Sequence, residues 1–156
     1  MPRYFFTSLS EEDTEELGER LGSSLPEGAV VLLKGDIGSG KTCFTRGLAK
    51  GLGLDPADIA SPTFTLVHEH KDTRKLYHMD LYRLSGPEEA EESGLMEYFA
   101  NDAVAAVEWP GPVEGAILEE PGKLVVTVTI TTGASEGART ILIVVPEDSG
   151  IMAEER

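Results

Sequence analysis

Apolar residues in this chain fall into short blocks whose period changes from one block to the next. Ala29-Val30-Val31-Leu32-Leu33 is an unbroken, β-favouring run, as expected for a strand buried on both faces. Thr42 to Lys50 then switches to helical spacing, with Phe44, Leu48 and Ala49 on one face and Gly51 as the stop. Upstream, Ser10-Glu11-Glu12-Asp13 reads as a serine cap with acids in the first turn of a helix. Leu17 and Leu21 lie four apart on its apolar face, and Gly22 is its expected end.

Beyond the breaks at Asp55-Pro56 and Ser61-Pro62, Thr63 to Glu69 and Leu76 to Asp80 are β-rich. The polar stretch His70 to Lys75 between them predicts an antiparallel hairpin. Pro87 to Phe99 is predicted helical with an interruption near Gly94, and Ala103 to Val107 is a second buried strand. Leu124 to Thr131 and Thr140 to Val145 form a last strand pair around the turn Gly133 to Gly137. The pattern predicts a three-layer α/β domain of P-loop NTPase type, its sheet parallel around the first buried strand and antiparallel toward the edges.

The octet between the first buried strand and its helix carries the chemistry. Gly35-Asp36-Ile37-Gly38-Ser39-Gly40-Lys41-Thr42 satisfies G-x-x-x-x-G-K-[ST]. Glycines let backbone N–H groups turn inward around a phosphate, Lys41 reaches the outer phosphates, and the Thr42 hydroxyl is a ligand for Mg²⁺. The dipole of the following helix favours the same anion.

Hydrolysis needs an acid near the metal and a group that orients water. Glu108 follows the apolar run Ala103 to Val107 and is expected at the carboxyl edge of a strand beside the P-loop, as a metal-side acid. Asp80 closes the hairpin strand, where it could orient water or join the metal shell; its plainer roles are a helix cap or a partner for Arg83. Thr63, after Ser61-Pro62, is either a contact to the γ-phosphate or Mg²⁺ or the start of a strand. Trp109 either stacks near a base or packs beneath the loop. Arg83 and Arg139 are read as surface salt-bridging residues that could instead face the γ-phosphate or a partner. His68, His70 and His78 lack metal-site spacing, and His78 is expected to be a structural hydrogen-bonding residue.

Composition narrows the class. The chain has 156 residues, enough for one domain, expected over 1–146 with an acidic tail at 147–156. No apolar stretch approaches a membrane span, the N-terminus does not resemble a signal peptide, and Cys43 is the only cysteine. A cytoplasmic protein is the expectation. Net charge is −15, yet residues 34 to 83 hold eight Lys/Arg against six Asp/Glu, which leaves −17 on the rest. Most of the surface would therefore repel a polyanion, and direct tRNA binding is not expected.

Several segments together resemble the TsaE (YjeE) family of bacterial P-loop ATPases. They are Leu33 to Thr42, Thr45-Arg46-Gly47-Leu48, Ser61 to Val67, His78-Met79-Asp80-Leu81-Tyr82-Arg83-Leu84 and Val107-Glu108-Trp109-Pro110. They occur in the family's order over roughly residues 10 to 145, and the S-P-T-F, H-x-D-L-Y-R-L and E-W elements are more specific than the P-loop. The resemblance implies an ATP- and Mg²⁺-dependent ATPase that serves threonylcarbamoyladenosine formation at position 37 of tRNA, with TsaB and TsaD as partners. It implies Thr42 and Glu108 at Mg²⁺ and a part for Asp80 in hydrolysis. Ile37 and Ser39 depart from the more common Leu and Ala, and His70 from an aromatic. Three alternatives stay in view. A small-molecule kinase lacks support, since Pro110 to Glu120 contains no Lys or Arg; a GTPase lacks an N-K-x-D stretch; a nucleotide-gated binding module is not separable from a slow ATPase.

Overall fold

The apolar run near position 30 forms the middle strand of the sheet in a computed structural model of the chain. The structure describes residues 1–36, 38–59, 67–71, 74–99 and 102–152, with residues 58 and 67–71 described in backbone alone. The strands are β1 (Arg3–Ser8), β2 (Val30–Lys34), β3 (Val67–Lys71), β4 (Lys75–Asp80), β5 (Val104–Glu108), β6 (Val125–Thr132) and β7 (Arg139–Val144). The helices are α1 (Glu11–Ser24), α2 (Lys41–Gly51), α3 (Pro87–Glu92) and α4 (Gly111–Glu119), with 3₁₀ turns at Pro56–Asp58 and Leu95–Phe99.

The seven strands of the described residues join one sheet in the order β1-β7-β6-β2-β5-β4-β3. β2 pairs in parallel with both β5 and β6, and β5 in parallel with β4. The outer pairs β3–β4, β6–β7 and β1–β7 are antiparallel. The expected mixed sheet is therefore present, parallel around the P-loop strand. Because side chains alternate along a strand, each face has its own core. Val31, Leu33, Val104 and Ala106 pack with Leu17, Leu21, Phe44 and Leu48 of α1 and α2. Val30, Leu32, Ala105 and Val107 pack on the other face with Ala90, Leu95, Val113 and Ile117. These are the three layers. Among the described residues no helix is long and apolar enough to cross a membrane.

Several element bounds differ from expectation for identifiable reasons. α1 runs past Gly22 to Ser24, because Gly22 lies inside the helix against Leu48 of α2 and does not terminate it. β1 pairs with β7 and is absent from the sequence pattern: its burial alternates, but the solvent-facing Phe5 and the buried Ser8 hide that alternation in residue type. α4 follows Pro110, where Gly111, Pro112 and Gly115 mask its short apolar face of Val113 and Ile117. The hairpin is described from Val67 onward, and residues 63–66 of its expected first strand lie outside the described residues. The helix predicted to 99 is α3 followed, after Gly94 (φ 76°), by the 3₁₀ turn. Midway along the expected acidic tail, Ile151 and Met152 are buried in the core on the α1/α2 side.

The P-loop helix is seated on α1 at backbone distance. A Cβ added to Gly47 would overlap the carbonyl oxygen of Glu15, and one on Gly18 would overlap that of Phe44. No flexible side-chain tip can yield at either contact, so the helices would have to separate. Gly47→Ala is therefore expected to destabilise the protein by about 2 kcal/mol or more, despite alanine's better helix propensity. Urea unfolding checks this, and a neutral or stabilising outcome would contradict the packing.

Candidate active site

At the end of β2 the chain turns through the loop and enters α2 at Lys41. Gly40 caps the helix with φ 112°, a left-handed conformation that a side chain would strain. The Ser39 N–H donates to the Asp36 carbonyl at 3.0 Å, and the Phe44 N–H to the Gly40 carbonyl at 2.9 Å. Lys41 is buried; its ammonium donates to the carbonyls of Gly35 and, at 3.1 Å, Asp36. The same ammonium lies 3.9 Å from the centre of the Trp109 ring, a cation–π contact. Burial pushes the Lys41 pKa down from the ordinary lysine value, against the pull of Glu108, Asp80 and Asp36.

Strand register brings the acids to the same place. Leu33 pairs with Glu108, and Glu108 with Asp80, so the two carboxylates leave neighbouring strand ends on the α1/α2 face. Glu108 is buried, and the Thr42 hydroxyl donates toward its two carboxylate oxygens at 3.2 and 3.4 Å. His78, fully buried two residues before Asp80, places Nε2 2.6 Å from Glu108 Oε2. Its Nδ1 has no hydrogen-bond partner among the described residues, nor does the buried Ser39 hydroxyl. Asp80 is half-buried and accepts the Tyr82 N–H at 2.9 Å. Burial pushes the Asp80 carboxyl above the usual aspartate range; the Glu108 charge adds to this, while the Tyr82 N–H, His78 and Lys41 oppose it.

The residues at the loop fit Mg²⁺ held together with a nucleotide. The Thr42 hydroxyl and a Glu108 carboxylate, in contact with each other, form a hard-oxygen pair at the entrance to α2. Among the described residues no cluster of three or more His, Cys, Asp or Glu could hold a metal alone. An ion held at this pair would take one carboxylate and one hydroxyl from the protein.

Residues 8–141 match the family described as "Threonylcarbamoyl adenosine biosynthesis protein TsaE". The chain belongs to the TsaE family. It is 39% identical over 137 residues to a Treponema pallidum protein named tRNA threonylcarbamoyladenosine biosynthesis protein TsaE, covering 87% of this chain and 96% of that one. A Bacillus subtilis protein of the same name is 37% identical over 127 residues, 81% of this chain and 78% of its own. The crystal structure of Bacillus subtilis YdiB superposes with a TM-score of 0.74 at 31% identity, covering 99% of this chain and 93% of that one.

Within this TsaE-family fold, Gly35, Asp36, Gly38, Ser39, Gly40, Lys41 and Thr42 form the loop, and Asp80 and Glu108 stand beside it. Ile37 and Thr63, with Ser61 and Pro62, lie outside the described residues. Three contacts escaped the sequence reading. Trp109 adopts φ 55°, an unusual conformation for a bulky residue. Its ring packs on Tyr82, 4.9 Å between centres, and covers Lys41 of the loop. His78 is the structural hydrogen-bonding residue expected, and its unforeseen partner is the acid of the site; the two-residue offset from Asp80 on one strand was the available signal. Arg139, expected at the surface in a salt bridge, donates instead to the carbonyls of Ser39 (2.8 Å) and Gly38 (3.2 Å).

Asp80 has a consequence for stability. Its folded-state pKa is raised, so ionisation costs the folded protein. The stability associated with its neutral form is fully present below the unfolded-state carboxyl range and is lost as pH rises through the raised value. Asp80→Asn keeps an oxygen for the Tyr82 N–H without the charge. It is expected to raise the thermal midpoint at pH 7, with the gain vanishing below about pH 4. Melting curves across that range test it; a lower midpoint for Asp80→Asn at pH 7 would refute the burial argument.

Proposed function

We propose that this protein binds MgATP in the loop Gly35–Thr42, hydrolyses it slowly alone, and uses that cycle to act on a TsaB–TsaD complex in the cytoplasm. The observation that carries this reading is the Thr42–Glu108 contact at the head of α2, which joins a metal-binding hydroxyl and carboxylate to a phosphate loop. Membership of the TsaE family supports the pathway, tRNA threonylcarbamoyladenosine biosynthesis, for which its relatives are named.

Each residue then has a distinct task. The loop N–H groups and the desolvated Lys41 ammonium hold the phosphates, and low local polarity strengthens that attraction. Thr42 and Glu108 would hold Mg²⁺, which when bound neutralises charge on the phosphate oxygens. His78 supports Glu108 from below by hydrogen bonding to Oε2. Asp80, beside Glu108 and with a raised pKa, orients the attacking water and accepts its proton. With a net charge of −15, most of the protein's surface would repel a polyanion, which supports leaving tRNA to the partners.

Kinase chemistry is disfavoured by the space beside the loop. A cavity of about 610 Å³ opens next to Gly35 and Asp36, between Leu84, Trp109 and Pro112. Among the described residues Lys34 is the only Lys or Arg in its wall, and it is paired with Glu114 at 2.7 Å. A phosphoryl acceptor carrying negative charge would find little to hold it there.

Lys41→Ala is expected to lose binding of an unhydrolysable ATP analogue by calorimetry while remaining folded, and wild-type affinity in that variant would remove the phosphate role of the loop. Glu108→Ala should keep measurable nucleotide affinity but lose about 100-fold or more in turnover. Phosphate release with and without TsaB–TsaD tests the partner assignment. Stimulation by the complex is expected, together with different affinities of the ATP and ADP forms for it. Equal rates and equal affinities in all nucleotide states would leave a partner-independent activity instead.

A further inference from the structure

The outer side of the P-loop is held by a residue one hundred positions away. Arg139 opens β7 and reaches across the end of β6 to the loop that follows β2. Its Nε donates to the Ser39 carbonyl at 2.8 Å, Nη2 to the Gly38 carbonyl at 3.2 Å, and Nη1 to its neighbour, the Ala138 carbonyl, at 2.9 Å. Among the described residues no carboxylate forms a salt bridge with it. The guanidinium charge thus lies against the loop with backbone oxygens as its partners.

A phosphate nest requires successive N–H groups to point inward, and the peptide planes then turn their carbonyls outward. Those carbonyls need donors, and a planar guanidinium meets two successive ones where an ammonium offers a single point of charge. We infer that Arg139 is a positioning residue for nucleotide binding: its fork fixes the Gly38 and Ser39 peptide planes with their carbonyls outward, holding the loop in its anion-receiving shape. Its charge also adds positive potential beside the nest, at carbonyls other than the Gly35 and Asp36 carbonyls that Lys41 meets. The hairpin β6–β7 thereby becomes part of the nucleotide site through the loop it holds.

The inference rests on the proposed binding of ATP in this loop, and one set of titrations separates the two. Calorimetry with an unhydrolysable ATP analogue and Mg²⁺ is carried out on wild type, Arg139→Ala and Arg139→Lys. Wild-type binding is expected, with affinity reduced ~10-fold or more in Arg139→Ala and by a smaller factor in Arg139→Lys. Methylguanidinium in solution should restore part of the affinity of Arg139→Ala and leave wild type unchanged. Amide hydrogen exchange in residues 38–40 should accelerate in Arg139→Ala while β6 and β7 keep their protection, a pattern that general destabilisation would not produce. Wild-type affinity in both variants, with unchanged exchange in the loop, overturns the positioning role while leaving the nucleotide site in place. Absence of binding by wild type itself overturns the nucleotide reading, and this inference with it. If Arg139→Ala does not fold, Arg139→Lys decides: full affinity there removes the need for a fork.

Discussion

The site depends on the register of three parallel strands. β2, β5 and β4 are aligned so that Leu33, Glu108 and Asp80 lie side by side, and all three side chains leave the same face of the sheet. That is the face on which α2 packs, so the acids meet the Thr42 hydroxyl and the Lys41 ammonium. A slip of one residue in β5 would carry Glu108 to the α3/α4 face and bring Trp109 or Val107 to the loop. The apolar residues on both faces of β5 prevent this, because a slip would also exchange the contents of two cores.

A buried carboxylate is costly unless hydrogen-bonded, and Glu108 is hydrogen-bonded on both sides. Thr42 approaches from the helix and His78 from the neighbouring strand. The site therefore couples a loop, a helix and two strands through one acid. Asp80 and Lys41 complete the cluster, and burial shifts the pKa of each toward its neutral form. Such opposed groups, held partly desolvated beside one another, stand ready to be stabilised by a charged ligand.

Two supports hold the loop from outside. On one side α1 lies against α2 at glycine-to-backbone distance, which leaves the P-loop helix little freedom to tilt. On the other, the Arg139 fork joins the loop carbonyls to the β6–β7 hairpin. Both supports come from elements without any recognisable nucleotide motif. They explain why the antiparallel extension of the sheet beyond β6 bears on the site at all.

The local parts of this protein were legible in its sequence. The strand–loop–helix order around Gly35–Thr42, the acids at the ends of β4 and β5, and the mixed sheet could all be read from contiguous segments. Their determinants, namely side-chain period, glycine placement and residue type at a strand end, act within a few positions of one another. The terminus of α1, the existence of β1 and α4, the hydrogen bond of His78 to Glu108, the cover of Trp109 over Lys41 and the reach of Arg139 were decided only by tertiary structure. Gly22 reads as a helix stop in isolation, and only the backbone of α2 beside it makes it a packing residue. Arg139 carries no local sign of its role, because its partners are peptide carbonyls, which every sequence possesses and none advertises. Sequence determines which groups are available; the fold determines which backbone atoms they meet, since that depends on distances set by packing between segments far apart in the chain.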